Sequence, residues 1–322
     1  MKRTYTSLLY LILSLCARAQ TTQPAQPPHI ITSDLANFWN AYDSVTATTD
    51  SAAQVRDIQH LYLDKASDGL KDMIKIRHWN ARIFQLIIKR YPAFWTSIRP
   101  KIMNIQGQLP IIEGLLTRYE QLFPAFQTPE ICFTVGYLGT GGTTTQTRVL
   151  IGSEIAAADS TVNTTGLNPF LANFFKENKG IEYLVAHELT HTQQKGGDME
   201  DRRPTNLLGF CLAEGMCDFM AERLLQKPLP QPYILYGRQH DRELWAAFRD
   251  SLHGRNIGPW LYNSGNTKLK MADLGYYMGY AICTAYYKKN KDKKKAIADI
   301  ITLDLESPAT LDDFLARSGY GN

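Results

Sequence analysis

The sequence predicts an α+β fold that is mostly helical and contains a short antiparallel sheet. Between residues 52 and 126, apolar side chains recur every three or four residues, which is the period of an amphipathic helix. Two β-rich segments follow at 130–137 and 147–152, and the Gly- and Thr-rich stretch 138–146 between them predicts a hairpin. Helical patterns return at Asn168-Pro169 and continue towards the C-terminus.

The N-terminus has the pattern of an export signal. Lys2-Arg3 forms a basic start, an apolar core follows at 8–17, and small residues flank position 18 in Ala17-Arg18-Ala19. Residues 1–19 are therefore predicted to be a signal peptide. Because the apolar core is too short to span a bilayer, we expect no transmembrane anchor after processing.

Export to the periplasm or the medium is the predicted localisation. Cys16 offers an alternative, since it stands where the lipidated cysteine of a bacterial lipoprotein would stand. The residue before it is Leu15, where a small residue is expected, so export without lipidation is favoured.

The mature chain divides into three predicted parts. The Pro- and Gln-rich residues 20–32 are expected to be a flexible leader. Ser33-Asp34 is typical of a helix start and opens a helical N-terminal region at 33–126. The region 127–318 holds the sheet and the later helices, and we expect it to form one continuous unit with 33–126.

The net charge gives no support for nucleic-acid binding, and the cysteine spacing gives none for a structural zinc site. The net charge of +4 comes from 35 basic and 31 acidic residues, and without Lys2, Arg3 and Arg18 it becomes 32 − 31 = +1, which gives no indication of nucleic-acid binding. No C-x-x-C pattern occurs, so a cysteine-based structural zinc site is not expected. Cys211 and Cys217 are six residues apart on a predicted helix and should not bridge each other, whereas the disulfide status of the mature cysteines is otherwise open: Cys132, Cys211, Cys217 and Cys283.

The helices after the predicted hairpin are bounded by capping and stop signals. Gly196-Gly197 follows one helix and Gly319 follows the last, as expected of residues beyond a helix C-terminus. The predicted helices after residue 180 are 181–195, 207–225, 242–252, 271–287 and 311–317.

The segment His187-Glu188-Leu189-Thr190-His191 carries the strongest functional signal. Two histidines at i and i+4 lie on one face of a helix, so their imidazoles can converge on a single Zn²⁺, with Glu188 on the same side. Glu214 lies downstream on a predicted apolar helix and could supply an oxygen as the third ligand. One coordination position would then remain for water, as in catalytic zinc sites.

With these histidines and the downstream Glu214-x-x-x-Asp218, the chain resembles the gluzincin metallopeptidases. It is most similar to secreted predicted zinc-protease domains related to the gliding-motility lipoprotein B family of Bacteroidetes. The shared features are a helical N-terminal half, a short sheet, an E-G-x-x-D helix and a late G-Y-x-x-G-Y helix, here 275–280. The resemblance covers residues 30–318 and implies that 127–318 is a zincin-like catalytic region.

The resemblance implies a role for each matching residue. His187, His191 and Glu214 would bind one Zn²⁺ per chain, and Glu188 would be the general base. Asp218 would accept a hydrogen bond from a ligand histidine, most simply His187. Because the interval from His191 to Glu214 is longer than usual, Glu222 and Glu200 remain alternatives for the third ligand.

The donor that stabilises the oxyanion is not fixed by the motif. Tyr276 opens the G-Y-x-x-G-Y element, Tyr280 lies one turn later on the same face, and His240 is a third candidate.

The substrate is expected to be a peptide or protein. Strand 147–152 could offer an edge to an extended peptide, and Gly139, Gly141 and Gly142 could let the substrate backbone approach closely. The sequence thus predicts a zinc peptidase that hydrolyses peptide bonds through a metal-activated water. The alternative is a non-catalytic, peptidase-like component of a bacterial envelope or gliding machinery.

Overall fold

A computed structural model of the chain describes residues 29–177, 180–195, 204–263 and 269–321. The predicted signal peptide, Cys16 and most of the predicted leader lie outside the described residues, as do Gly196-Gly197 and Glu200.

Helices make up most of the described chain, and one small sheet lies between two groups of them. The helices are α1 (Ser33–Ala47), α2 (Ser51–Leu61), α3 (Asp68–Arg77), α4 (Ala81–Arg90), α5 (Pro92–Met103), α6 (Leu109–Leu122), α7 (Ser153–Ala156), α8 (Pro169–Glu177), α9 (Ile181–His191), α10 (Leu207–Leu225), α11 (Pro232–Arg249), α12 (Leu274–Lys289), α13 (Lys293–Ile301) and α14 (Pro308–Ser318). The strands are β1 (Ile30–Ile31), β2 (Glu130–Thr134), β3 (Gly142–Thr144) and β4 (Arg148–Gly152).

The helical N-terminal half follows its local sequence signals. Ser67 and Asn80 cap α3 and α4 by accepting hydrogen bonds from backbone N–H groups of the first turn. Pro92 and Pro110 lie in the first turns of α5 and α6, where a proline costs no helical hydrogen bond. Pro100 lies inside α5, which continues for three residues beyond it to Met103.

The sheet is mixed, and the predicted hairpin between its two long strands is wrong. Strand order is β1-β2-β4-β3, in which β2 pairs with β4 in parallel, Ile131 opposite Val149. Residues 135–147 connect them, long enough for a parallel crossover. The predicted turn region contains β3, which pairs antiparallel with β4, so the chain reverses at 145–147 instead.

Two further consequences follow from this topology. Strand β4 has partners on both sides, so the predicted free edge at 147–152 does not exist, and β3 is the edge strand. Ile30 and Ile31, which were assigned to the leader, form β1 and pair in parallel with β2.

The helices around the histidines deviate from prediction only at their ends. Helix α10 spans the predicted 207–225, capped by Asn206, which accepts a hydrogen bond from Gly209 N–H. Helix α9 ends at His191 rather than Lys195, because Gln193 and Gln194 form tighter backbone bonds to Thr190 and His191.

Helix α11 begins at Pro232, ten residues before the predicted start, and deviates from helical geometry at His240. Its first half escaped prediction because apolar and polar residues do not alternate there with a helical period.

Glycines allow α10 and α12 to pack with their backbones almost in contact. A Cβ atom at Gly215 would lie 2.1 Å from the backbone nitrogen of Tyr280, and one at Gly279 would lie 1.8 Å from the carbonyl oxygen of Cys211. Neither position can therefore hold a larger residue without separating the helices. The glycines of the E-G-x-x-D and G-Y-x-x-G-Y elements thus have a structural role, which is to bring α12 against the helix that carries Glu214.

In the described part of the chain, no helix combines the length and the apolar character needed to cross a membrane. The four cysteines that the structure describes are all buried, and none is in a disulfide.

Candidate metal centre

The two histidines of α9 face each other across one helical turn. Their ring centroids are 5.0 Å apart, and His187 and His191 are only 7% and 1% exposed. The same helix buries Val185, Ala186 and Leu189 completely, so α9 is fixed in the core on more than one face. The imidazoles therefore have little freedom to separate.

Glu214 on α10 completes a compact set of donor atoms. Its Oε2 lies 3.3 Å from His187 Nε2 and 3.4 Å from His191 Nε2. A tetrahedral Zn²⁺ with ligands at about 2.0–2.1 Å separates neighbouring donor atoms by about 3.3–3.4 Å. This Oε2 is buried and faces the two imidazoles, so positive charge from a protonated imidazole or from a bound cation would stabilise it. The donor set therefore fits Zn²⁺.

The carboxylates around the two histidines favour positive charge between the imidazoles and Glu214. Burial would raise the pKa of Glu214, but His191 and His187 outweigh burial and hold that pKa well below its usual range. Burial would lower the pKa of His187, but Asp218 and Glu214 outweigh burial and raise it well above its usual value. A dication bound at Nε2 of His187 would displace the proton that Asp218 and Glu214 otherwise stabilise on that imidazole.

Asp218 orients His187 from the side opposite Glu214. Its Oδ1 lies 3.0 Å from His187 Nδ1, the contact proposed from the sequence, and α10 buries it completely. Two hydroxyls donate to the same carboxylate, from Tyr183 to Oδ1 at 2.6 Å and from Tyr233 to Oδ2 at 2.9 Å. With Nδ1 directed at Asp218, Nε2 of His187 faces Glu214.

His191 is oriented by the turn that follows α9. Its Nδ1 lies 3.1 Å from Gln194 Oε1, and the amide of Gln194 donates to the carbonyl of Ala213 at 2.6 Å. Because α9 ends at His191, Gln194 lies in the following turn, beside the imidazole of His191. This contact joins the end of α9 to the turn of α10 that precedes Glu214.

Cys217 forms a second candidate set with the same histidines. Donor atoms of His187, His191 and Cys217 lie within 4.8 Å of one another, close enough to hold a metal ion. However, Cys217 Sγ is 3.4 Å from Nδ1 of His191, whereas Nε2 of the same ring faces Glu214. The thiol and the carboxylate therefore approach the imidazole at different nitrogens.

Glu188 lies beside the histidines with its carboxylate directed at the edge strand. It is 6% exposed, and its Oε2 has no hydrogen-bond partner among the described residues. Burial raises the pKa of Glu188, and the imidazoles of His191 and His187 oppose that rise. A Cβ atom at Gly142 would lie 2.7 Å from Glu188 Oε1, so β3 can approach this closely only with glycine there.

The structure separates the candidates that the sequence left open. Tyr276 borders the same cavity as His187, with ring centroids 6.2 Å apart. The Tyr280 hydroxyl instead contacts Glu222 and Arg238, so neither Tyr280 nor Glu222 is brought to the histidines. His240 stacks on Tyr236 at 3.9 Å and is likewise not among the residues around the cavity.

Of the three glycines predicted to lie beside the substrate, two are near the cavity or Glu188 and one is not. Gly141 lines the cavity and Gly142 touches Glu188, whereas Gly139 lies against the ring of Tyr137 and does not line the cavity.

A cavity of about 760 Å³ opens onto His187 and Glu188. Leu184, one turn before Glu188, and Ile155, beside Gly141, form an apolar part of its wall. Helix α8 lines it with Phe170 and Phe174. The volume is within the range of small-molecule binding sites.

Sequence reasoning missed the residues that contact the candidate ligands from outside. Tyr183 could have been found, because it precedes His187 by four residues on the same helix face. The Tyr262 hydroxyl donates to Glu214 Oε1 at 2.6 Å, and Tyr233 reaches Asp218. Both come from distant segments that carry no local motif.

One of three comparisons with known proteins finds a match, and it covers the part of the chain that holds these residues. No curated protein and no solved structure gives a significant match to the chain. Residues 167–307 match the model of a family described as "Predicted Zn-dependent protease (DUF2268)". The matched segment contains both histidines, all the carboxylates around them and the three tyrosines that contact Asp218 or Glu214. That segment is therefore similar to a family of predicted zinc-dependent proteases.

Proposed function

We propose that the protein is a zinc-dependent peptidase in which His187, His191 and Glu214 bind one Zn²⁺ and Glu188 is the general base. The observation that carries the proposal is the position of Glu214 Oε2, 3.3 Å and 3.4 Å from the two Nε2 atoms. These distances correspond to the edges of a zinc tetrahedron. Two imidazoles and one carboxylate leave a fourth position for water, as in hydrolytic zinc sites.

Zn²⁺ at this position would supply Lewis acidity and lower the pKa of water towards neutrality. Glu188 would accept the proton of the attacking water and deliver it to the leaving amine. Burial suits Glu188 to this role, because it raises the pKa of the carboxylate towards the working range of a general base.

The surrounding residues would keep the ligands in place. Asp218 holds His187 through Nδ1, Gln194 holds His191 through Nδ1, and Tyr262 holds the second oxygen of Glu214. Such outer hydrogen bonds fix the orientation of the ligand side chains, and an acceptor at Nδ1 of an imidazole raises the basicity of its Nε2. In this arrangement Tyr276 is the oxyanion donor that we favour, since it borders the cavity beside His187.

The edge strand would bind the substrate backbone. Gly141 and Thr145 form backbone hydrogen bonds with β4. In an antiparallel pair, residues that form such bonds alternate with residues whose N–H and C=O groups point away from the partner strand. The N–H groups of Gly142 and Thr144 therefore point away from β4. Since Gly142 lies against Glu188, a peptide added along β3 would pass the general base.

Metal content tests the ligand set. We expect one zinc per wild-type chain and a loss of zinc in His187→Ala and Glu214→Ala. Glu222→Ala is the matched control, because that carboxylate contacts Tyr280 and Arg238 instead. Zinc retained in Glu214→Ala would exclude Glu214 as the third ligand.

Cobalt substitution separates Glu214 from Cys217. A thiolate ligand gives Co²⁺ an intense near-ultraviolet charge-transfer band, which a carboxylate does not. We expect no such band in the Co²⁺ protein and no spectral change in Cys217→Ser. A strong band that disappears in Cys217→Ser would assign the third ligand to the thiol.

Turnover tests the general base. Glu188→Gln should retain zinc and lose cleavage of a peptide library, whereas Glu182→Gln should behave as wild type, because Glu182 pairs with Lys227 at the surface. A fully zinc-loaded wild-type protein that cleaves no peptide would favour the non-catalytic envelope component.

We further propose that the protein is exported and processed after Ala19. The mature protein recovered from expression in a bacterium should then begin at Gln20, as measured by intact mass. A lipidated Cys16 at the N-terminus would replace this assignment.

A further inference from the structure

Helix α8 is held to the core by one face and presents aromatic side chains on another. Phe175 is fully buried and stacks on Phe94 of α5, with ring centroids 5.7 Å apart and planes 15° apart. Phe170 and Phe174, one turn apart, are 48% and 42% exposed, and their ring centroids are 6.3 Å apart. The buried Phe175 therefore docks one face of α8 on the core and leaves the two other rings exposed.

The two exposed rings line the cavity that opens onto His187 and Glu188. Tyr262, a third large apolar residue with high exposure (57%), lines the same cavity. Apolar area left exposed in this way stabilises a complex when a ligand removes it from water. Concentration of such residues around one cavity is typical of a binding surface.

The apolar surface continues from α8 towards the general base. Leu184 precedes Glu188 by one turn of α9, and both line the cavity. Ile155 and Leu184 would each lie within 3.5 Å of a Cβ atom at Gly141, so they meet the chain immediately before β3. A substrate side chain next to a peptide bond held at Glu188 would therefore lie against an apolar surface.

Away from His187 and the proposed Zn²⁺, the charged side chains that line the cavity are acidic. Among the described residues that line it, Glu177, Glu188 and Asp273 are acidic, and none is Lys or Arg. A substrate carboxylate that lies beside these acidic groups, away from the metal, would meet no Lys or Arg and would be repelled. Acidic substrate side chains are thus disfavoured beside these groups, whereas uncharged apolar side chains are not repelled.

We infer that Phe170 and Phe174 determine specificity, by binding an aromatic or large aliphatic side chain of the peptide close to the scissile bond. This inference rests on the proposed peptidase function and adds its substrate class. A cavity of about 760 Å³ holds such a side chain together with neighbouring residues of the peptide.

Cleavage of a peptide mixture randomised around its central bond tests the inference. With the zinc-loaded wild-type protein, mass spectrometry should find aromatic and large aliphatic residues enriched at one position beside the cut, on the order of tenfold over Ala. Phe170→Ala/Phe174→Ala should remove the enrichment while Ala-containing peptides are still cut. Leu86→Ala/Ile111→Ala is the matched control, since both residues are exposed (52% and 47%) and do not line the cavity.

Cleavage without apolar enrichment, or with an enrichment that survives in the double Phe variant, would overturn the inference. If no peptide is cut, the proposed activity fails, and retention of the same mixture by zinc-loaded Glu188→Gln decides the inference separately. Apolar peptides should be retained by Glu188→Gln and lost when Phe170→Ala/Phe174→Ala is added. Equal retention with and without the two phenylalanines would refute recognition by α8.

Discussion

Gly142 lies so close to Glu188 that a Cβ atom at residue 142 would stand 2.7 Å from Oε1 and 2.9 Å from Cγ of the glutamate. The edge strand thus restricts the position of the residue that we propose as the general base. The contact is specific to glycine, because any larger residue displaces the carboxylate or the strand.

Gly142→Ala should therefore reduce peptide cleavage without reducing zinc content. Displacement of a catalytic group by about 1 Å can lower the rate on the order of 100-fold. The measurement is kcat on a cleaved library peptide, together with metal stoichiometry. Gly114→Ala is the matched control, since nothing lies within 4 Å of a Cβ atom there. Full activity in Gly142→Ala would show that β3 does not restrict the position of Glu188.

The two tyrosines on Asp218 yield a prediction about metal affinity. Tyr183→Phe and Tyr233→Phe each remove one hydroxyl donor from a completely buried carboxylate. Loss of outer hydrogen bonds of this kind lowers metal affinity roughly 10–100-fold. Competition with a zinc chelator should show a weaker Kd in both variants.

Tyr286→Phe provides the control for these variants. Its hydroxyl also donates to a carboxylate, Asp299 at 2.7 Å, but that pair lies on α12 and α13 and does not contact the histidines. An unchanged zinc Kd in Tyr183→Phe and Tyr233→Phe would mean that Asp218 orients His187 without them.

Features with a local signal were predicted well from the sequence. The i, i+4 spacing of His187 and His191 requires only that their segment be helical, and it is. The bounds of α10 follow from the Asn206 cap and an apolar run that ends at Leu225.

Features set by distant partners were not predicted. The parallel pairing of β2 with β4 depends on β3 occupying the predicted turn, and glycines and threonines there are typical of both a loop and an edge strand. Tyr233 and Tyr262 reach Asp218 and Glu214 only because the chain folds back over α10. No spacing within a single segment could indicate these contacts.

The backbone contact between α10 and α12 makes Gly279 a sensitive position for stability. In Gly279→Ala the added Cβ would meet the carbonyl of Cys211 at 1.8 Å, and two packed backbones cannot yield as a flexible side chain can. Overpacking of this kind costs about 1–3 kcal/mol, and here we expect the upper part of that range. Urea unfolding measures the loss. Gly258→Ala, where the nearest atom would be 3.6 Å away, should unfold as wild type does, and equal midpoints for both variants would contradict the prediction.

A buried acid near β3 gives the stability of the protein a defined pH dependence. Glu154 is completely buried and accepts hydrogen bonds from Gly136 N–H at 2.8 Å and Leu138 N–H at 3.1 Å. Burial raises its pKa from 4.5 to about 7, although these backbone donors oppose the rise. The folded state therefore binds the proton more tightly than the unfolded state does. As a result, this group's contribution is most favourable below pH 4.5, declines as the pH rises to about 7, and is constant above that.

Glu154→Gln should remove that dependence, because the amide stays uncharged throughout. Since a tenfold change in an equilibrium constant corresponds to about 1.4 kcal/mol, the stability of wild type relative to the variant should fall by on the order of 3 kcal/mol between pH 4.5 and 7. Urea unfolding across this range measures the difference, with Glu113→Gln, an exposed position on α6, as the control. Parallel curves for wild type and Glu154→Gln would show that Glu154 does not bind a proton on folding in this range.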